Sequence, residues 1–304
     1  MNGRLQRFWG LARLALALLV GWHWGWAWGL ASLALQALLL VPGFAQLWWV
    51  NRGSDAPGLA PLLRAWAGEV LASELAFSWR QPWREWAEPD HLPAGARHGV
   101  LLVHGFACNR GRWNGWMRRL RADGVAFIAP SLEPAFGSID AYADEIEAGV
   151  RRLMATTGRM PVVCAHSMGG LAVRAWWRRH GAGHAQPPQV ITLGTPHQGT
   201  RMARLLPGAL NVAQMRRGSA WLAELPGLPT LLCLWTRCDQ VVNPAATARL
   251  AGAQSLRVDG VGHMGLVHAP AAWAVLQQAL AADPRANLQA DAGADSSFST
   301  PRRI

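Results

Sequence analysis

The run Val162-Val163-Cys164-Ala165-His166-Ser167-Met168-Gly169-Gly170 carries the reading of this chain. Its first residues form a short apolar stretch that reads as a buried strand, and helical periodicity begins at Met168, so the backbone turns sharply at one serine. A turn that tight lifts the Ser167 hydroxyl clear of the backbone. Residues two before and two after the serine must be small, because the chain nearly touches itself there. Ala165 and Gly169 meet that need. Glycine is the usual residue at the first place, and the Ala165 methyl is the smallest departure from it.

Upstream, Leu101-Leu102-Val103-His104-Gly105-Phe106 ends a second apolar strand on a His-Gly pair. Gly105 permits close backbone approach. The amides of Phe106 and Met168 are then expected to point at one spot. Two donors there would stabilise a developing oxyanion by about 3 to 4 kcal/mol each.

A serine nucleophile needs a base and a group to orient that base, expected downstream in the order acid, then histidine. Asp239 lies four residues past the apolar run Leu231-Leu232-Cys233-Leu234-Trp235. His263 lies in Gly260-Val261-Gly262-His263-Met264-Gly265, a glycine-rich loop with room for an imidazole to reach Ser167. Asp259 and His268 are the competing candidates, ranked lower because one falls where a strand has only just ended and the other sits against the last helix. His166 reads as a brace of the turn. His197, in Gly194-Thr195-Pro196-His197-Gln198-Gly199-Thr200, follows a strand at the same rim and could line a pocket.

Working outward, buried strands are expected at 99–103, 125–129, 161–165, 190–193, 230–235 and 255–258. Helices are expected at 112–123, 140–157, 168–180, 244–250 and 270–282. Alternation at this spacing means a mostly parallel sheet covered on both faces. The α/β domain spans 98–283. Residues 200–226, with Met202, Leu205, Leu206, Leu210, Val212, Met215, Trp221, Leu222 and Leu225 among arginines, are read as a cap over the site. Residues 53–97 are read as a connecting helix, amphipathic over 62–77, and a linker. The non-periodic stretch 284–304 is expected to be a disordered tail.

His104-Gly105-Phe106, Ala165-His166-Ser167-Met168-Gly169-Gly170, Gly194-Thr195-Pro196-His197-Gln198-Gly199-Thr200, Asp239 and His263 together resemble the bacterial lipases and esterases of the α/β-hydrolase superfamily, especially the triacylglycerol-lipase branch. The resemblance covers roughly 98–283. It implies an α/β-hydrolase fold in which Ser167 is the acyl-accepting nucleophile, His263 the base and then the acid, Asp239 its orienter, and the amides of Phe106 and Met168 the oxyanion hole. It implies no cofactor. The structural calcium ligands of that branch have no clear match. The expected activity is hydrolysis of hydrophobic or lipid-like carboxylic esters. The same residues would serve acyl transfer or thioester cleavage, and a membrane-tethered scaffold that kept the fold without the activity is the reading from a different class.

The N-terminus departs from secreted lipases. No charged side chain occurs from Leu14 through Val50, where glycines, His23, Ser32, Gln36 and Gln46 interrupt an apolar run. One helix over 11–41 would be about 46 Å long, more than the ~30 Å of hydrocarbon it would cross. The stretch Gly21-Trp22-His23-Trp24-Gly25-Trp26-Ala27-Trp28-Gly29 therefore reads as the apex of a hairpin, with tryptophans suited to the interface. Spans at 8–28 and 30–50 would make 1–52 a membrane-anchoring segment, with Trp48, Trp49 and Arg52 at the exit. Arginines flank both outer ends, which places the enzyme on the cytoplasmic side of an inner membrane. The alternatives are a single anchor with the hydrolase outside and a cleaved signal peptide, the latter fitting poorly because no clear small-x-small cleavage site precedes the second apolar run.

Composition bounds the rest. An apolar fraction of 51% supports a substantial core and excludes a disordered or collagen-like chain. The net charge of +11 comes from 29 basic residues that are all arginine, without the interleaved basic and aromatic run of a nucleic-acid binder. An anionic membrane surface is the expected partner, not nucleic acid. Cys108, Cys164, Cys233 and Cys238 fall in no metal-ligand spacing, and only a Cys233 to Cys238 bridge is left open by their positions.

Overall fold

The computed structural model describes residues 2–51, 56–205 and 208–282, without the side chain of Gln36. The expected tail at 284–304, the exit residue Arg52 and the cap residue Leu206 lie outside the described residues.

Six parallel strands form one sheet in the order β2-β1-β3-β4-β5-β6. They are β1 (Gly99–Val103), β2 (Ala126–Ile128), β3 (Val162–His166), β4 (Val190–Leu193), β5 (Leu231–Trp235) and β6 (Gln254–Arg257). The chain starts mid-sheet at β1, steps outward to β2, then returns past β1 to lay down β3. This reversal opens a crevice at the carboxyl ends of β1 and β3, where open α/β sheets bind ligands. The register pairs Val103 with Ala165, so the His104-Gly105 turn and the Ser167 turn leave the sheet side by side.

Strands β1 to β5 read as largely apolar runs because both faces of the sheet are covered there. Leu101, Val103, Val163 and Ala165 pack with Ile146, Val150, Leu153, Leu171 and Trp176 on one side. Val100, Leu102, Cys164, Ile191 and Leu193 pack with Trp113, Met117, Leu120 and Leu276 on the other. N-terminal to the domain lie α1 (Asn2–Trp24), α2 (Trp26–Leu33), α3 (Leu35–Val50), α4 (Leu59–Glu74), a π turn over Leu75–Arg80 and the single turn α5 (Gln81–Trp83). Within it come α6 (Asn114–Ala122), α7 (Ala143–Thr157), α8 (Met168–His180), α9 (Leu210–Gln214), α10 (Ala220–Ala223) and α11 (Pro270–Ala281).

Two expected elements differ. The strand expected to be buried at 255–258 is β6, exposed at every position: it lies at a sheet edge and three of its four side chains are polar, whereas the other edge strand, the apolar β2, is buried. The helix expected at 244–250 is one 3-10 turn, Ala245–Ala248, since the polar Asp239 to Asn243 loop and Arg249 leave it no apolar stripe. All four cysteines are free and buried, so the bridge between Cys233 and Cys238 does not form.

The N-terminal segment is bound to the domain more closely than an anchor requires. Asn2 Nδ2 donates to the Cys108 carbonyl at 2.7 Å, and Gln6 Nε2 to that of Ala107 at 2.9 Å. Arg13 pairs with Glu74 at 2.9 Å and also donates to the Leu33 carbonyl at 3.1 Å. Beyond Arg13, α1 and α2 fold back on each other about Gly25, whose φ of 100° suits glycine. A Cβ on Gly29 would lie 2.6 Å from the Ala17 carbonyl oxygen, so small residues let the two backbones touch. Phe44 and Leu47 of α3 are buried with Ala65 of α4 and with Cys238.

These contacts alter the expected transmembrane hairpin. Among the described residues no single helix is long and apolar enough to cross a membrane, and the pair Trp26–Leu33 with Ala37–Val50, bent by 41°, is the one combination with suitable length and composition. The first half of α1 and the second half of α3 pack on the α/β domain, which shortens the apolar length left free.

Candidate active site

Ser167 closes β3 and opens α8 with φ 57° and ψ −131°. A non-glycine residue with positive φ is strained, and this strain projects the hydroxyl from the turn. The turn fits because its neighbours are small: a Cβ on Gly169 would lie 2.6 Å from the His104 carbonyl oxygen.

Ser167 Oγ stands 2.9 Å from His263 Nε2, and His263 Nδ1 stands 2.9 Å from Asp239 Oδ2. All three side chains are buried. The second Asp239 oxygen accepts the amides of Val241 at 2.9 Å and Val242 at 2.7 Å, so the carboxylate is fixed before it meets the ring. Because Asp239 only accepts, the hydrogen-bond network assigns the imidazole proton to Nδ1 and leaves the Nε2 lone pair facing the serine hydroxyl. Burial pushes the His263 pKa down, but the charge and hydrogen bond of Asp239, with the charge of Glu69, carry it above the ordinary imidazole value. An imidazole so placed can accept a proton from the hydroxyl and return it.

Gly105 lies against the serine: a Cβ there would sit 2.7 Å from Ser167 Cβ. The next amide along is that of Phe106, and Met168 follows Ser167 directly. Among the described residues neither amide has a hydrogen-bond acceptor, which leaves two donors beside the hydroxyl. The loop is held from behind by His104, whose Nδ1 donates to the Gly105 carbonyl at 2.9 Å while Nε2 accepts the Leu132 amide at 2.8 Å. That pattern requires a neutral ring, and burial pushes its pKa down to about 4.

The lower-ranked candidates sit elsewhere. Asp259 is exposed and paired with Arg257 and Arg237, and His268 is exposed beside Arg80. His197 is buried, with Nε2 3.0 Å from Thr192 Oγ1, and burial lowers its pKa to about 3, so it packs instead of lining a pocket. His166 Nε2 donates to the His263 carbonyl at 3.1 Å, bracing the histidine loop instead of its own turn.

Sequence reading missed Glu69. It is fully buried on α4, and its carboxylate takes the amides of Met264 at 2.8 Å and Gly265 at 3.1 Å. One signal was present: Glu69 falls on the same helical face as Ala65, Ala72 and Ala76, a carboxylate on an otherwise small and apolar stripe.

Residues 100–227 match the model of the Alpha/beta hydrolase family. With the six parallel strands and their order, this match over fewer than half of the residues gives the chain the α/β-hydrolase fold. Its fold resembles that of Bacillus licheniformis lipase BlEst2 in mature form, at 19% identity and a TM-score of 0.54, covering 63% of this chain and 95% of that one. Aspergillus fumigatus lipase B is similar at 16% identity and a TM-score of 0.54, covering 64% of this chain and 56% of the other. Likeness at these identities is one of fold. No curated protein sequence matches the chain. The matched region ends before Asp239 and His263 and begins after Glu69, so the geometry alone brings those three residues to Ser167.

Proposed function

We propose that this α/β hydrolase is a serine esterase or lipase that cleaves carboxylic esters of hydrophobic or lipid-like substrates. The observation that carries the reading is the Ser167-His263-Asp239 chain with both links at 2.9 Å. In this reading Ser167 Oγ attacks the ester carbonyl carbon while His263 Nε2 takes its proton. The tetrahedral oxyanion is held by the amides of Phe106 and Met168. His263 then protonates the departing alcohol, and water, activated by the same imidazole, releases the acyl group from Ser167. Asp239 keeps the ring in the required tautomer and offsets the charge of the imidazolium.

An apolar substrate is supported by the surface near the serine. Phe106, beside Gly105, meets half-exposed Phe136 edge to face, with ring centres 5.7 Å apart. Leu205 and Leu210 of the cap are exposed, although most of its other apolar side chains pack into the core.

The membrane reading takes a shallower form. Residues 14–24 of α1 extend beyond the Arg13 tie for about 16 Å, half of a ~30 Å hydrocarbon layer. The hairpin therefore suits insertion into one leaflet, with both ends and the hydrolase domain on the cytoplasmic face. Trp22, Trp24, Trp26 and Trp28, all exposed, suit its interfacial layer.

The test is turnover of a chain-length series of aryl esters by the full chain, alongside labelling by a fluorophosphonate. Turnover and labelling that both disappear in Ser167→Ala are expected. Labelling with no turnover of any ester would sink the esterase reading, and acyl thioesters or alcohol acceptors as parallel substrates separate thioester cleavage and acyl transfer. A wild-type chain that neither labels nor turns over would be the scaffold.

A further inference from the structure

The Asp239 and His263 loops share a second carboxylate. Glu69, midway along α4, lies outside the matched family region and is fully buried. Its oxygens accept the Met264 amide at 2.8 Å, the Gly265 amide at 3.1 Å and Gln240 Nε2 at 2.5 Å. Gln240 follows Asp239 directly, while Met264 follows His263. The orientation of the Gln240 amide is fixed, because its Oε1 accepts the His263 amide at 3.3 Å. Burial pushes the Glu69 pKa above the ordinary carboxylate value, against the charge of His263 and the hydrogen bonds it accepts. But Glu69 meets donors alone, so a protonated carboxyl group would have no acceptor for its hydrogen and the geometry favours the ionised form. The loop closes round it: a Cβ on Gly262 would come within 2.6 Å of Glu69 Oε2. On the other side of the same peptide, the buried Arg112 guanidinium donates to the Met264 carbonyl.

We propose that Glu69 is a positioning residue for His263: an ionised carboxylate that fixes the backbone on either side of the imidazole and supplies a second negative charge when the ring becomes protonated. The proposal rests on the serine hydrolase reading above. Its physical content is orientation and charge. Met264, Gly265 and, through Gln240, His263 itself are bound by one buried group, so the ring cannot drift from Ser167 without breaking bonds to a charge, which are costly to lose in a buried site. The charged and titratable groups that face His263 are Asp239, Glu69, Arg112 and His166. Arg112 also faces Glu69 and offsets part of its charge. A remote helix would thereby complete the site, making residues 59–74 part of the reaction apparatus instead of a connector.

The experiment uses the full chain with a soluble aryl ester, measuring kcat, KM and the acid limb of kcat/KM for wild type, Ser167→Ala, Glu69→Gln and Gln240→Leu. Rates are normalised to the fraction labelled to completion by a fluorophosphonate. Glu69→Gln is expected to lower kcat by about ten- to a hundredfold with little change in KM. It should also move the acid limb to lower pH, because one of the charges that holds a proton on His263 is gone. A role in folding alone would reduce the labelled fraction and leave the normalised pH profile in place. Gln240→Leu removes the bridge but keeps the charge, so kcat should fall while the acid limb stays put; it decides the matter if Glu69→Gln does not fold. If Ser167→Ala still turns over ester, the serine hydrolase reading fails and takes this proposal with it. If Ser167→Ala is dead while Gln240→Leu and any folded Glu69→Gln keep wild-type kcat, the Glu69 proposal alone is overturned.

Discussion

Gln6 in α1 donates its side-chain amide to the Ala107 carbonyl at 2.9 Å, joining the N-terminal helix to the loop that carries the Phe106 amide. Ala107 itself has φ 54°, a conformation costly for alanine that neighbouring contacts must maintain. Asn2 secures the next carbonyl, that of Cys108. Relaxing this loop should displace the Phe106 amide, the proposed oxyanion donor, without touching Ser167 or His263. Gln6→Ala combined with Asn2→Ala is therefore expected to lower kcat about tenfold with KM nearly unchanged, read by steady-state kinetics. Unchanged kcat would show that the loop holds its shape without α1.

A sharper perturbation of the same region is Gly105→Ala. The added methyl would meet Ser167 Cβ at 2.7 Å, a contact that forces one backbone to move. Loss of kcat by about a hundredfold or more is expected, since small displacements in the reacting geometry are expensive. Wild-type turnover would mean that the two turns have room for a methyl group between them.

The relay and its sequence rivals separate cleanly in kinetics. Asp239→Asn and His263→Ala should each cut kcat/KM by about 10⁴-fold. Asp259→Asn and His268→Ala, both exposed and away from the serine, should stay within about twofold of wild type. The reverse pattern would reassign the base and its orienter.

Activity and stability should respond to pH through different histidines. His263 must be neutral to accept a proton, and its pKa is raised despite burial by Asp239 and Glu69, so the acid limb of kcat/KM should lie above the ordinary imidazole pKa of about 6.5. For stability the raised value acts in the opposite sense, helping below the unfolded pKa and fading as pH rises through the folded one. His104, His166 and His197 have pKa values depressed by burial, to about 4 for His104 and about 3 for His197. In the unfolded chain they bind protons below ~6.5 that the folded chain refuses, so stability falls with acid from there downward, by up to ~1.4 kcal/mol per pH unit for each. Urea unfolding at pH 7 and pH 5 should show the drop, and His197→Gln should lessen it.

Replacing the hairpin tip, residues 14–33, by a short Gly-Ser loop tests the membrane reading. Association with vesicles that contain anionic lipid, followed by sedimentation, should be lost, while hydrolysis of a water-soluble ester should persist within about threefold, because the ties at Asn2 and Gln6 are kept. Undiminished vesicle binding would move the membrane contact elsewhere on the molecule.

Local sequence went far in this protein. The strand-to-helix turn at Ser167 and the glycine at 105 announce themselves because steric limits in a tight turn admit few residue types. Asp239 was picked out by its place just past a strand end and His263 by its glycine-rich loop, in the acid-then-histidine order such sites follow, and most strands and helices by their periodicity. Exposure was misjudged at β6, although its polar Gln254, Ser255 and Arg257 carried a local sign that this strand is not an inner one. The apolar run at 14–50 looked long enough for two spans, since its composition does not reveal that Arg13 pairs with Glu74 and that Leu47 is buried with Cys238. Glu69 needed the tertiary structure most. A carboxylate 195 residues from the amide it receives has no signature in its neighbours along the chain, because the desolvation and the donors that define its role are assembled only when α4 packs against the histidine loop.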